Sequence, residues 1–170
     1  KNLNFLFTNK TKFVNIILYG LFCFLTEKGG FFVKETTNRP VPEKFKSLYT
    51  EKTKGESLFL IVGDLNLKGK YGESMLAFTK DKLFAFDECF SEQFITVDYK
   101  DIEEAEVKRM YGNAFFKVKL KGENKKKNIL RFSYAAAEVG DAAANFVNVI
   151  NENGFSEAEV EVVKSVYSKQ

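Results

Sequence analysis

From residue 57 the chain switches between apolar and polar positions in two distinct rhythms. Residues 57–67 open with an unbroken apolar run, Leu58-Phe59-Leu60-Ile61-Val62, and then alternate through Leu65 and Leu67. Runs at 73–79, 82–87, 93–99, 102–110, 114–120 and 128–132 follow with the two-residue period of strands that bury one face. Turn chemistry separates them: Lys68-Gly69-Lys70-Tyr71-Gly72, Thr79-Lys80-Asp81-Lys82, Tyr111-Gly112-Asn113 and the stretch 122–127. At Ser133 the rhythm changes. Ala135, Val139, Ala142, Ala143, Phe146 and Ile150 recur every three or four residues, which makes one apolar face of a helix. Ser133 is the expected N-cap, and Gly154 the expected stop. Gly140 costs such a helix about 1 kcal/mol relative to Ala, a loss that close packing on a sheet would offset.

The predicted class is mainly β with a C-terminal α-helix. Seven antiparallel strands joined by turns this short fit two packed sheets or a small, partly open barrel, with one helix covering an end or seam. That is the pleckstrin-homology-like arrangement, assigned to residues 57–154. Residues 34–56 carry both prolines, Pro40 and Pro42, in a polar run, and read as a linker with a short helical turn around Phe45 to Tyr49. Residues 155–170 read as a short connector helix opened by a Ser156/Glu159 capping pattern, with little apolar surface of its own.

Composition sets residues 1–33 apart. Lys, Asn, Phe, Ile, Leu and Tyr dominate them, and Glu27 is their only acid. The apolar run Phe13 to Leu25 is short of the roughly 20 residues that span a bilayer. Three readings of this leader stand together: an interfacial or signal-like anchor, a packed helix, or translated A+T-rich DNA that is not native protein. The first methionine is Met75, inside a predicted strand.

Charge and chemistry narrow the function. The net charge is +3, with 26 basic residues, nearly all Lys, dispersed among 23 acids; a nucleic-acid partner would call for a basic stripe. There is no His, and Cys23 and Cys89 stand far apart, so neither a metal site nor a disulfide framework is expected. Asp64, Glu73, Asp81, Asp87 and Glu88 supply carboxylates without a matching base or nucleophile. No catalytic residue, cofactor or metal ligand is assigned, and the expected mode of action is binding.

Two segments carry a resemblance. Gly63-Asp64-Leu65-Asn66-Leu67-Lys68-Gly69-Lys70-Tyr71-Gly72-Glu73-Ser74, running on to Leu83, is one. Tyr111-Gly112-Asn113 with Leu130-Arg131-Phe132-Ser133-Tyr134-Ala135-Ala136-Ala137 and Asp141-Ala142-Ala143-Ala144 is the other. Together they resemble the pleckstrin-homology-like domain at the N-terminus of a group of bacterial ABC exporters, over residues 58–153. In that group the domain leads into a Cys-rich segment, six membrane helices and an ATPase domain. The resemblance implies an accessory domain at the cytoplasmic face of the inner membrane, partnered by the exporter's own membrane and ATPase domains. A free-standing module that binds a soluble protein or the inner membrane surface is the alternative.

Six basic residues are interaction candidates. Lys68 and Lys70 flank Gly69 in a turn whose ammonium groups and backbone N–H donors suit a phosphate, and which reads equally as a solvated hairpin tip. Lys125, Lys126 and Lys127 suit a weak contact with an anionic membrane at about 1 kcal/mol per cation, or a solvated turn. Arg131, between Leu130 and Phe132 near the helix start, is expected to pair with Asp141 or Glu138, or to dock a partner.

Overall fold

The computed structural model describes residues 36–169. They form seven antiparallel strands: β1 (Phe59–Leu65), β2 (Tyr71–Phe78), β3 (Lys82–Asp87), β4 (Phe94–Asp98), β5 (Ile102–Met110), β6 (Asn113–Leu120) and β7 (Lys127–Ser133). Helices are α1 (Glu43–Thr53), α2 (Ala137–Asn153) and α3 (Glu157–Tyr167). The mainly β class with its C-terminal helix is the one the alternating pattern predicts. Hydrogen bonding joins the strands into one sheet in the order β4-β3-β2-β1-β7-β6-β5, rather than two separate ones. The join is narrow: β1 meets β7 at the single pair Leu65↔Arg131, beside a register shift between Gly63 and Leu65. Among the described residues no helix is long and apolar enough to cross a membrane.

The main core lies between the curled sheet and α2. Phe59, Phe78, Phe116, Phe132 and Phe146 are all buried there, with Phe59 and Phe78 stacked at 4.5 Å and Phe146 edge-on to Phe59 at 5.2 Å. Gly140 lets α2 approach this layer: a Cβ there would stand 2.8 Å from Cζ of Phe132 and 3.1 Å from Cγ2 of Val107.

A second apolar cluster covers the other face of β1, β2 and β3. Phe45 and Tyr49 of α1 pack there on Leu60, Val62, Met75, Ala77, Phe84 and Phe86. These strands are thus buried on both faces, which explains the solid apolar runs at 58–62, 75–78 and 83–86. It also corrects the reading of 34–56 as a linker. The segment holds an eleven-residue helix, with Phe45 only 1% exposed. Phe45, Leu48 and Tyr49 recur at helical spacing, but the lysines and glutamates between them conceal the stripe.

Two further expectations change. Ser133 ends β7 and stands at the N-cap position of a 3-10 turn, not of α2, and its hydroxyl makes no cap bond; its N–H donates to Oδ1 of Asp64 at 2.9 Å. A 3-10 turn over Tyr134–Ala136 intervenes before α2. Nor does α3 lack an apolar face. Ser156 accepts from the N–H of Ala158 as its N-cap, Val160 and Val163 are buried, and the Tyr167 hydroxyl donates to the Leu60 carbonyl at 2.6 Å. The leader at 1–33, and Cys23 within it, lie outside the described residues.

Sheet margins are where this fold spends its polar side chains. On β5, the Asn148 amide of α2 accepts from the Ala105 N–H at 2.7 Å and donates to the Ala105 carbonyl at 2.9 Å, and Asn151 donates to the Ile102 carbonyl. On the half of β1 that β7 does not reach, Asn38 accepts from the Val62 N–H at 2.8 Å and donates to its carbonyl at 3.0 Å. The Thr36 carbonyl accepts from the Leu60 N–H at 2.8 Å. Each asparagine imitates a neighbouring strand. Unpaired margins invite pairing with another chain, and these positions are capped against it.

Candidate functional site

Two of the three sequence-derived basic groups come together. The turn between β1 and β2 folds over β7, so that Gly69, in the left-handed region at φ +82°, lies against the Arg131 guanidinium with no room for a Cβ. Arg131 also covers the Phe115 ring, 5.0 Å from its centroid. Strand alternation accounts for this. Leu130 and Phe132 face the core, so Arg131 between them faces away from α2 and cannot reach Asp141 or Glu138. The residue that pairs with Asp141 is Arg109, Nη1 to Oδ1 at 3.1 Å, because Arg109 sits opposite Ala114 on the face turned toward α2. The Nε of Arg131 is buried without a hydrogen-bond partner among the described residues.

Lys68 and Lys70 make no ion pair among the described residues, and their charges add only slightly to the field at nearby Glu88. Glu88 accepts from the Asn66 amide at 2.6 Å, and that bond, then the charge of Lys44, holds its carboxyl below the ordinary value against the opposing effect of burial, with lesser help from Lys68 and Lys70. The second basic cluster is divided. Lys126 bridges Glu104 and Glu106, each at 2.7 Å, and Lys127 pairs with Glu123 at 2.7 Å. Lys125 has no ion pair among these. Three adjacent lysines therefore do not present three free cations to a membrane surface.

The carboxylates are likewise engaged. Asp87 is fully buried and accepts from the backbone N–H groups of Leu67 and Cys89, at 2.9 and 2.8 Å. Burial alone would raise the Asp64 carboxyl. The bonds from Ser133, its own N–H and the Arg39 guanidinium outweigh that and keep it below its ordinary value. For Cys89, burial and then the neighbouring Asp87 push the thiol up, away from the reactive thiolate. Among the described residues no three acidic or cysteine side chains gather as a metal site needs.

What the sequence did not reveal is the margin at β4. The bonds Asp87 N–H to Gln93 carbonyl (3.0 Å) and Tyr99 N–H to Asp81 carbonyl (3.1 Å) set the phase of the β3–β4 ladder. Pairs 85↔95 and 83↔97 are then the bonded ones, and Phe94 and Thr96 turn their N–H and carbonyl groups outward, followed by the Asp98 N–H, whose carbonyl instead opens the 3-10 turn Tyr99–Asp101. Among the described residues no strand lies beyond β4. Next to this margin is a cleft of about 550 Å³ lined by Leu67, Phe90, Ile95, Lys127, Asn128 and Ile129. Leu67 ends the first predicted strand and Phe90 lies between predicted strands, and only the folded sheet places them beside Ile95.

No protein-family model, curated protein or solved structure matches the chain.

Proposed function

We propose that this chain is a noncatalytic binding module that docks a protein segment, and that it serves as an accessory domain of an ATP-driven bacterial exporter. The observation that carries the binding part is the margin of β4, unpaired among the described residues and beside an apolar cleft, in a fold that holds Ala105 of β5 and Val62 of β1 with asparagine amides. An uncapped strand beside an apolar cleft offers main-chain bonds for affinity and a pocket for selectivity.

The exporter part rests on the resemblance of residues 58–153 to the accessory domains of that group. Its partners would be the exporter's membrane and ATPase domains at the cytoplasmic face of the inner membrane, and no nucleic acid, cofactor or metal is assigned to it. Weak contact with anionic lipid is a lesser part of this reading, since Lys126 and Lys127 are already paired with acids.

Reading the source DNA downstream of the codon for Gln170 tests the exporter assignment. Cysteine pairs, six apolar spans and a Gly-x-x-x-x-Gly-Lys loop in the same frame are expected. A stop immediately after that codon would refute it and leave a free-standing module.

A further inference from the structure

We propose that the occupant of the β4 margin is an extended segment of another protein, adding as an eighth strand with an apolar side chain in the cleft and an acidic residue beside it. The inference rests on the reading of the chain as a binding module.

Three observations specify that occupant. First, the N–H and carbonyl groups of Phe94 and Thr96 and the N–H of Asp98 alternate along one line, a pattern that another extended backbone matches. Second, a strand beside β4 places the residue opposite Ile95 on the same face as Ile95, the side on which the cleft opens. That side chain would meet Leu67, Phe90 and Ile129, so it must be apolar. Third, the charged residue in the lining is Lys127, whose pairing with Glu123 at 2.7 Å joins two solvent-accessible side chains. Such pairs contribute little and exchange readily, so a carboxylate on the incoming strand can take the Lys127 ammonium.

The contrast with β5 strengthens the case. A strand could add there only by displacing Asn148 and Asn151 of α2, an element anchored by the buried side chains of Phe146, Val147 and Ile150. Among the described residues nothing comparable stands beyond β4. A second copy of this chain pairing β4 to β4 is the competing occupant. It would bring the second copy's Val97 opposite Ile95, on the cleft side as well, and is told apart from another protein by its dependence on the concentration of this chain.

The test uses the whole chain, isotope-labelled for NMR, and an acetylated heptapeptide that alternates valine or leucine with threonine and has glutamate at both ends. Two N-methylated versions of the peptide, one on each alternating set of amides, leave the protein itself unaltered. The expected result is saturable binding with Kd below ~1 mM, with shifts at the amides of Phe94, Thr96 and Asp98 and at the side chains of Leu67, Ile95 and Ile129. One N-methylated set should bind at least about tenfold more weakly and the other within about twofold, because only one set faces β4. Thr96→Pro, which removes an outward N–H that the β3–β4 ladder does not use, should weaken the plain peptide by a similar factor.

Equal binding of both N-methylated peptides, or shifts centred on the exposed Met110, Tyr111 and Tyr134, would overturn the β4 proposal while leaving the binding-module reading intact. Absence of saturation at about 2 mM peptide would also overturn it. So would concentration-dependent protection of Thr96 without peptide, which would identify a second copy as the occupant. The exporter assignment is decided independently by the downstream reading frame.

Discussion

Gly140→Ala sets two effects of similar size against each other in α2. In a solvated helix the change stabilises by about 1 kcal/mol, because Ala loses less backbone freedom on folding. Here the new methyl would stand 2.8 Å from Cζ of Phe132, itself fully buried, and 3.1 Å from Cγ2 of Val107. Carbon atoms prefer about 3.5–4.0 Å, so the helix or the ring must move by roughly 1 Å. Phe132 is enclosed by close-packed neighbours, and overpacking of that kind costs about 1–3 kcal/mol. The clash wins: the variant should lose about 1 kcal/mol net, seen as a lower urea midpoint at unchanged slope. Asn145→Ala, on the exposed face of the same helix, reports propensity without the clash and should gain about 0.5 kcal/mol. If Gly140→Ala instead stabilises as much as a solvated site would, α2 does not pack on Phe132 as described.

Other consequences are open to measurement. Phe45→Ala should destabilise the whole domain by about 3–5 kcal/mol in urea melts, because α1 is part of the core; an effect of a few tenths would return residues 43–53 to the status of a tether. Asn148→Ala leaves the Ala105 N–H and carbonyl unpaired and should cost about 1–3 kcal/mol; no loss would mean that water caps β5 equally well.

Burial pushes the phenols of Tyr99 and Tyr167 above their ordinary values, with nearby Asp81 adding to the effect at Tyr99. The folded state then holds protons that the unfolded state releases near pH 10, so stability should be constant below that pH and fall as it is exceeded. Urea melts between pH 8 and 11 check this. A flat profile, or a fall no shallower after Tyr99→Phe together with Tyr167→Phe, would contradict it; Lys126, held above its ordinary value by Glu104 and Glu106, adds a fall of its own.

How much of this was legible in the sequence follows from what each signal depends on. Alternation is a local property, and it placed all seven strands to within about two residues; α2 was visible for the same reason. α1 was concealed because its apolar face is narrow and set among charges, and because Pro40 and Pro42 suggest extension just upstream. The buried face of α3 rests on Val160 and Val163, too few to stand out without the surface they meet. Arg131 was given the wrong partner because proximity in sequence to the helix start was followed instead of strand parity, which turns Arg109 toward Asp141 and Arg131 away. Which strand ends at an open margin is a property of sheet order. No local pattern in 93–99 distinguishes β4 from an inner strand, so neither the margin nor its cleft could be read before the fold.

Amide hydrogen exchange on the free chain tests the central claim most directly, since it compares margins within one molecule. The N–H groups of Ala105 and Val62, held by Asn148 and Asn38, should exchange slowly, and those of Phe94, Thr96 and Asp98 should exchange orders of magnitude faster. Slow exchange at all three β4 positions would mean that this margin is already closed, and the recognition edge proposed here would not exist.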